Sequence, residues 1–172
     1  MFQDEGRFGR INNPRDCWAP AGIRPLVPFH LVREYTYVYA AVSPADGEVD
    51  SLVLPVVNTT AMSLFLKEVS DRHPDEFILM VMDKAGWHRA GDLQIPENMR
   101  LTFLPPYSPE LNPVEHIWEE IREKWFTNTV FKTLDAVEDT LVEALVTLEN
   151  DRKRVSGVVG FNWIISLILN AI

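Results

Sequence analysis

The feature that most constrains the fold is the unbroken apolar run FILMVM at residues 77–82, which has an acidic residue on either side. Such a run favours a strand that is buried on both faces, as in a parallel sheet with helices on both sides. Residues 83–100 separate it from the next short apolar stretch, at residues 101–104, and this distance leaves room for a βαβ crossover. The run therefore predicts an α/β domain with a parallel core.

The rest of the pattern places strands early in the chain and helices late. Stretches rich in β-branched and aromatic residues, or alternating in polarity, predict strands at residues 2–8, 35–42 and 48–54. Apolar residues at helical spacing predict helices that include residues 61–69, 114–125 and 134–148. We therefore predict one α/β domain over residues 1–172, with a mixed five-stranded sheet covered by helices.

Composition and charge exclude several classes of protein. The net charge of −9 argues against a free-standing nucleic-acid binder, which usually has a basic surface, and favours sites for metal cations. Cys17 has no partner for a disulfide, and no secretory signal pattern follows Met1, so the cytoplasm is the expected location. The uncharged stretch 155–172 contains polar residues and glycines, which favours a terminal helix packed on the domain over a membrane anchor.

Two acidic residues occupy positions where chemistry is expected. Asp83 directly follows the apolar run, and open α/β sheets bind ligands beyond the carboxyl ends of their parallel strands. Asp83 could equally cap the next turn. Asp4 alternates with Phe2 and Phe8 on one face of the first strand, with Glu5 on the other face. A buried acid there must be paired or bound to metal, whereas at a solvated strand end it needs no partner.

A proline-rich segment, LPPYSPELNPVEHIWEEIR at residues 104–122, contains a third candidate. Asn112 is placed to cap a helix, with Pro113 in its first turn and Glu115 at the third position. Glu115 is then either a capping-box partner of the backbone or a side chain that leans into a cleft.

The same helix contains further acidic residues. Glu119 lies one turn after the third position and is the rival candidate for that cleft. Glu120 and Lys124 are at the spacing of a solvated i,i+4 ion pair.

Three segments together resemble the catalytic domain of mariner-like bacterial insertion-sequence transposases: FQDE at 2–5, MDKAGWH at 82–88 and LPPYSPELNPVEHIW at 104–118. These transposases are DDE enzymes with a ribonuclease-H-like fold. The resemblance implies that Asp4, Asp83 and Glu115 are the catalytic acids and the ligands of two Mg²⁺ (or Mn²⁺) ions. The sequence differs from the family pattern in two respects. Lys84 stands where relatives often have Asn, and residues 1–172 contain no amino-terminal helix-turn-helix DNA-binding region.

The resemblance also implies an activity and partners. The expected activity is metal-dependent cleavage of phosphodiesters at the ends of a mobile element, followed by joining of the 3′-hydroxyl to target DNA. DNA is the expected partner, with a second copy of the chain and a separate helix-turn-helix polypeptide as further candidates. Two alternatives stay open: a ribonuclease-H-like nuclease without strand transfer, and a non-catalytic truncated remnant that binds metal, DNA or a full-length partner.

The roles of several basic residues are open from sequence. His88 either contacts a phosphate, transfers a proton, or orders the turn after Asp83 by a hydrogen bond, and we favour the hydrogen bond. Four arginines either line an approach for DNA or are ordinary surface charge: Arg7, Arg10, Arg15 and Arg24.

Overall fold

The computed structural model describes residues 1–11, 14–88 and 91–170. The strands are β1 (Phe2–Ile11), β2 (Leu31–Val42), β3 (Val49–Leu54), β4 (Ile78–Met82) and β5 (Met99–Phe103). The helices are α1 (Thr59–Arg72), α2 (Val114–Lys124), α3 (Leu134–Glu149), α4 (Arg152–Val159) and α5 (Asn162–Asn170), with short 3₁₀ turns at Gly86–His88 and Pro109–Leu111.

The strands form the mixed five-stranded sheet that the sequence predicts, in the order β3-β2-β1-β4-β5. β1 and β2 pair antiparallel over their whole length, and β3 continues the hairpin. β4 is parallel to both β1 and β5. It pairs with β5 along its whole length, whereas among the described residues its pairing with β1 is limited to Phe2 opposite Val81. Beyond Phe2, one edge of β1 is therefore available to helices and loops.

Two apolar cores lie on opposite faces of the sheet. The core under α2, α3 and α4 includes Phe8, Val38, Ile117, Trp118, Leu141 and Val155. The core under α1 includes Tyr39, Met62, Phe65, Met80 and Met82. Asn58 caps α1 by accepting a hydrogen bond from the Ala61 N–H, and Thr133 caps α3 in the same way at Ala136. The chain thus forms one layer of sheet between two layers of helix.

The apolar run differs from its prediction in burial. Ile78, Met80 and Met82 point into the α1 core, but Leu79 is 50% exposed and Phe77, just before the strand, is 70% exposed. The helices on the other face contact β1, β2 and β3. Because they lie over that half of the sheet, β4 is buried on one face only, and the prediction of a strand covered on both sides is wrong.

The connection from β4 to β5 also differs from the prediction. In its described part, residues 83–88 and 91–98, it contains the 3₁₀ turn at Gly86–His88 and no α-helix, so the expected βαβ helix is not present there. The carboxyl-terminal stretch contains α4 and α5 instead of one terminal helix, with the change of direction at Gly160. No described helix has the length and apolar character needed to cross a membrane.

Glu120 has a different partner from the one expected. Its Oε1 accepts hydrogen bonds from Arg154 Nε at 3.0 Å and Nη2 at 2.6 Å, so the solvated pair with Lys124 was the wrong prediction. Arg154 also lies over the ring of Trp125, 5.1 Å from its centroid. These contacts attach α4 to the outer side of α2, and they leave the opposite side of α2 to face β1.

Candidate active site

One cavity of about 420 Å³ is lined by all three acids that the sequence singles out. Asp4 comes from β1, Asp83 from the end of β4, and Glu115 from the first turn of α2. The cavity lies where the strand order changes direction, because the chain goes from β1 to one side of the sheet and from β4 to the other. Ligands of open α/β sheets bind at such positions, beyond the carboxyl ends of the strands.

Asp4 is fixed by an indole. Trp118 is 1% exposed, and its Nε1–H donates a hydrogen bond to Asp4 Oδ2 at 3.0 Å. Gly6 provides the space, because a Cβ at this position would lie 2.9 Å from Phe8 Cε2 and 3.0 Å from Trp118 Cδ2. Trp118 is therefore both a core residue and a hydrogen-bond donor to the site. Its position about one helical turn after Glu115 is the sequence signal for this second role.

The environment of Asp4 is unfavourable for a negative charge. Burial raises the pKa of Asp4 to about 7, and the carboxylates of Glu115 and Glu5 contribute in the same direction. The hydrogen bond from Trp118 opposes this shift. The repulsion shows that Glu115 lies near Asp4, and it means that a cation in the cavity would relieve an existing electrostatic cost.

Asp83 is held by the turn that follows it. Its Oδ1 accepts the Ala85 N–H at 2.9 Å and lies 2.8 Å from His88 Nδ1. The other ring nitrogen of His88, Nε2, is 2.8 Å from Glu5 Oε1. Burial opposes protonation of the imidazole, but the two carboxylates outweigh it and raise the pKa of His88. The favoured interpretation of His88, a hydrogen bond that orders this turn, is confirmed, and the ring also connects Asp83 to β1.

Glu115 is placed by Asn112, which precedes α2. The buried Asn112 amide donates from Nδ2 to the Gln3 carbonyl at 3.1 Å, and its Oδ1 accepts the Val114 N–H at 3.3 Å. The helix begins at Val114 with Pro113 as its cap residue, one position later than predicted. Asn112 is therefore less a conventional cap than a crosslink between α2 and β1.

Glu115 and Glu119 differ in their position relative to the cavity. The Asn112 N–H donates to the Pro109 carbonyl at 2.9 Å, so it is already engaged and does not need Glu115 as a capping-box partner. Glu119 is exposed, lies 3.5 Å from His116 Nδ1, and is not part of the cavity lining. Glu115 is the residue of this helix that lines the cavity with Asp4 and Asp83.

The donor chemistry of the cavity fits a hard divalent cation. Carboxylate oxygens are the ligands that Mg²⁺ and Mn²⁺ prefer. Among the described residues, both contacts to the Asp83 carboxylate use Oδ1, which leaves Oδ2 for a ligand. Over residues 1–11, 14–88 and 91–170, however, no three His, Cys, Asp or Glu side chains are close enough to hold one ion together. The acids share a cavity without forming a preassembled set of ligands.

Comparison with known proteins gives a family match over most of the chain. Residues 1–138 match the family model described as DDE superfamily endonuclease, a range that includes all three acids. The chain is 41% identical over 104 residues to the Uncharacterized protein y4pE/y4sA of Sinorhizobium fredii (strain NBRC 101917 / NGR234), which covers 60% of this chain and 77% of that protein.

The fold is similar to that of a transposase. The Mos1 transposase paired-end complex with left transposon end superposes with a TM-score of 0.61 at 15% identity, over 92% of this chain and 55% of that one. The Mos1 mariner paired end complex with Mn gives 0.64 at 15% identity, over 91% and 52%. The chain thus spans a little over half the length of these Mos1 chains. The likeness shows the ribonuclease-H-like fold that the sequence predicts.

The raised pKa of Asp4 generates a pH-dependent prediction for Asp4→Asn. Between the ordinary pKa of 3.8 and the folded value of about 7, the native state binds more protons than the unfolded state, so Asp4 lowers stability as pH rises through this window. Above about pH 7 the full cost applies, at most on the order of 4 kcal/mol. In calorimetry without metal, Asp4→Asn should therefore melt above the parent at about pH 8 and lose this advantage near pH 4. The same difference at both pH values would contradict it.

The close packing at Gly6 generates a second prediction. Gly6→Ala should destabilise the protein by about 1–3 kcal/mol, because the added methyl group displaces the Trp118 ring from β1. Gly86→Ala is the matched control, since a Cβ at Gly86 meets no heavy atom within 4 Å. Urea unfolding monitored by tryptophan fluorescence measures both. If the two variants unfold at the same midpoint, Gly6 is not required for the placement of the indole.

Proposed function

This chain belongs to the DDE superfamily of endonucleases, and we propose that it is the catalytic domain of a metal-dependent DNA transposase. The observation that carries the proposal is the shared cavity of Asp4, Asp83 and Glu115, contributed by three separate elements. The proposed reactions are hydrolysis of a phosphodiester at the end of a mobile element and attack of the resulting 3′-hydroxyl on target DNA. Both reactions can use the same site, because in each an oxygen nucleophile, water or the 3′-hydroxyl, attacks the phosphorus opposite the leaving oxygen.

The structural relatives support DNA and a divalent ion as the ligands. Mos1 transposase has been solved with a transposon end, as a strand transfer complex, and in paired end complexes with Mn and with Mg. We infer from the common fold that this chain binds the same classes of ligand. Pairing of two element ends makes a homodimer part of the proposal.

The chain's own residues have distinct roles in this proposal. Asp4, Asp83 and Glu115 would hold Mg²⁺ or Mn²⁺, which when bound would activate the attacking oxygen and stabilise charge on the leaving oxygen. Trp118 and His88 act on the acids rather than on DNA: the indole orients Asp4 and the imidazole orients Asp83. Such hydrogen bonds to the acids determine which carboxylate oxygens are available.

The choice of Glu115 is tested by a pair of isosteric variants. Glu115→Gln should keep the fold and abolish Mg²⁺- or Mn²⁺-dependent cleavage and joining of an oligonucleotide that mimics an element end. Glu119→Gln, the matched control on the same helix, should leave both nearly intact, because Glu119 is exposed outside the cavity. Asp4→Asn and Asp83→Asn should behave like Glu115→Gln, because replacing any one member of a cooperating catalytic site removes most of the rate.

The outcomes of this assay separate the alternatives. Cleavage by the parent without joining would assign a nuclease without strand transfer. A parent that neither cleaves nor joins would contradict the proposed function. A dead Glu119→Gln beside an active Glu115→Gln would show that the third acid is wrongly assigned.

Metal binding is tested independently of activity. Mg²⁺ or Mn²⁺ should raise the melting temperature, because an ion that binds the folded state alone stabilises it by about 1.4 kcal/mol at tenfold over its Kd. For a domain of this size that is a shift of a few degrees. The shift should be larger at about pH 8 than at about pH 6, where protons compete for Asp4, and absent in Asp83→Asn. A shift that survives in Asp83→Asn would place the ion elsewhere.

A further inference from the structure

We propose that a recess lined by Arg7, Arg15 and Arg122, the arginine recess, binds a backbone phosphate of DNA a few nucleotides from the phosphate that is cut. The recess is a separate cavity of about 140 Å³ beside the acidic one. The inference rests on the proposed function, because it takes DNA as the ligand of the neighbouring cavity. It assigns a binding role to residues outside the three acids.

The elements that place the acids also place the arginines. Arg7 follows Asp4 by three residues on β1, and Arg122 follows Glu115 by two helical turns on α2. Three strand residues span about 10 Å, which is close to the rise of three base pairs of duplex DNA. Because side chains alternate along a strand, Arg7 and Asp4 project to opposite faces of β1, and Arg7 reaches the recess at the open edge of that strand. A DNA strand that follows this edge would present one phosphate to the acids and another to the recess.

In the described part of the chain, Arg7 and Arg122 have no acidic partner of the kind that Arg10 has. Arg10 is 2.8 Å from Glu34, so its charge is neutralised locally. Among the described residues, neither Arg7 nor Arg122 has a carboxylate within 4.0 Å. Although the chain has a net charge of −9, two guanidinium groups with no described acidic partner therefore line the same recess.

Aromatic rings hold these two guanidinium groups in place. Arg7 lies over the ring of Tyr35, 4.6 Å from its centroid, and Arg122 lies over Phe8 at 5.2 Å. Stacking uses the face of a guanidinium and leaves the N–H groups at its edge for an acceptor. A phosphate oxygen is the acceptor that this planar fork fits best.

Arg15 completes the recess from the segment that follows β1. Its backbone N–H donates to Asn128 Oδ1 at 2.9 Å, and its carbonyl accepts from Asn128 Nδ2 at 3.2 Å. This pair of bonds fixes the segment against the loop after α2. The Arg15 side chain reaches Glu123 at 3.8 Å, with both groups largely solvated, so the ion pair is weak.

The electrostatics agree with an anion site. Burial lowers the pKa of Arg122, the positive charge of Arg15 lowers it further, and Glu115, Glu119 and Asp4 act in the opposite direction. The guanidinium thus lies between the acids and a second arginine. A bound phosphate would add charge-assisted hydrogen bonds and offset the repulsion between the two arginines.

The recess, about 140 Å³ in volume, has room for a phosphate group between its three arginines. Free phosphate and a DNA phosphodiester share the required chemistry. The recess is lined from β1 and α2, the elements that also carry Asp4 and Glu115, and this shared placement favours DNA.

The test is the salt dependence of DNA binding by the full chain, measured as fluorescence anisotropy of a labelled DNA duplex. Loss of one phosphate contact should lower the slope of log Kobs against log salt by about 0.9. We expect this change in Arg7→Gln and in Arg122→Gln, with affinity about tenfold weaker at low salt. Arg100→Gln is the control, since Arg100 is an exposed arginine on β5, at the far edge of the sheet.

A neutral DNA linkage locates the contact. A methylphosphonate replaces one phosphate at a time along the duplex. We expect the parent to bind more weakly when the phosphate that contacts the recess is replaced. The same replacement should not weaken binding by Arg7→Gln, which has already lost that contact. Arg7 is exposed, so this variant keeps the test valid if Arg122→Gln fails to fold.

Each result has one meaning. Equal slopes for the parent, Arg7→Gln and Arg100→Gln, with no effect of inorganic phosphate on the melting temperature, overturn the recess and leave the proposed function intact. Changed slopes together with a parent that neither cuts nor joins DNA support the recess and overturn the proposed function. If inorganic phosphate raises the melting temperature of the parent but not of Arg7→Gln, while the slopes stay equal, the recess binds free phosphate and the assignment to DNA is wrong.

Discussion

The attachment of α2 to the open edge of β1 is the contact on which the rest of the site depends. β4 pairs with β1 at Phe2, so the strand beyond this point has no parallel neighbour along the described chain. Two hydrogen bonds attach the helix there: Asn112 to the Gln3 carbonyl and Trp118 to Asp4. The buried residues of α2 supply the packing energy, on the order of 2 kcal/mol for each large side chain. Without this attachment, Glu115 would have no fixed position relative to Asp4.

The same attachment has an electrostatic cost. It brings Glu115 close to a partly buried Asp4, and the raised pKa of Asp4 means that the metal-free protein near neutral pH contains both ionised and protonated forms. Local donors reduce the cost at each acid: an indole N–H at Asp4, and a backbone N–H with an imidazole at Asp83. The clustered acids thus cost the fold stability when no cation is bound, as is common for functional sites.

Much of the fold could be predicted because its signals are local. The strands follow from alternation and β-branched composition, and the placement of Asp83 beyond β4 follows from the geometry of parallel strands. What could not be predicted depends on distant partners. Glu120 accepts hydrogen bonds from Arg154, which is 34 residues away in sequence, and helical spacing alone pointed to Lys124. The second role of Trp118 depends on the space above Gly6, and helical periodicity records Trp118 simply as apolar.

The charge distribution explains how an acidic chain could accept an acidic polymer. The charges of Glu115, Glu119 and Asp4 reach Arg122 and act to raise its pKa, so they favour the guanidinium cation. In the proposed arrangement, the guanidinium groups act on a phosphate in direct contact, whereas the carboxylates act on it from farther away and are weakened by salt. Asp4 and Arg7 belong to β1, and Glu115 and Arg122 belong to α2. Regular backbone geometry therefore sets their spacing more rigidly than loops would. A DNA strand held at the recess would be aligned along β1 with its neighbouring phosphates directed to the acids.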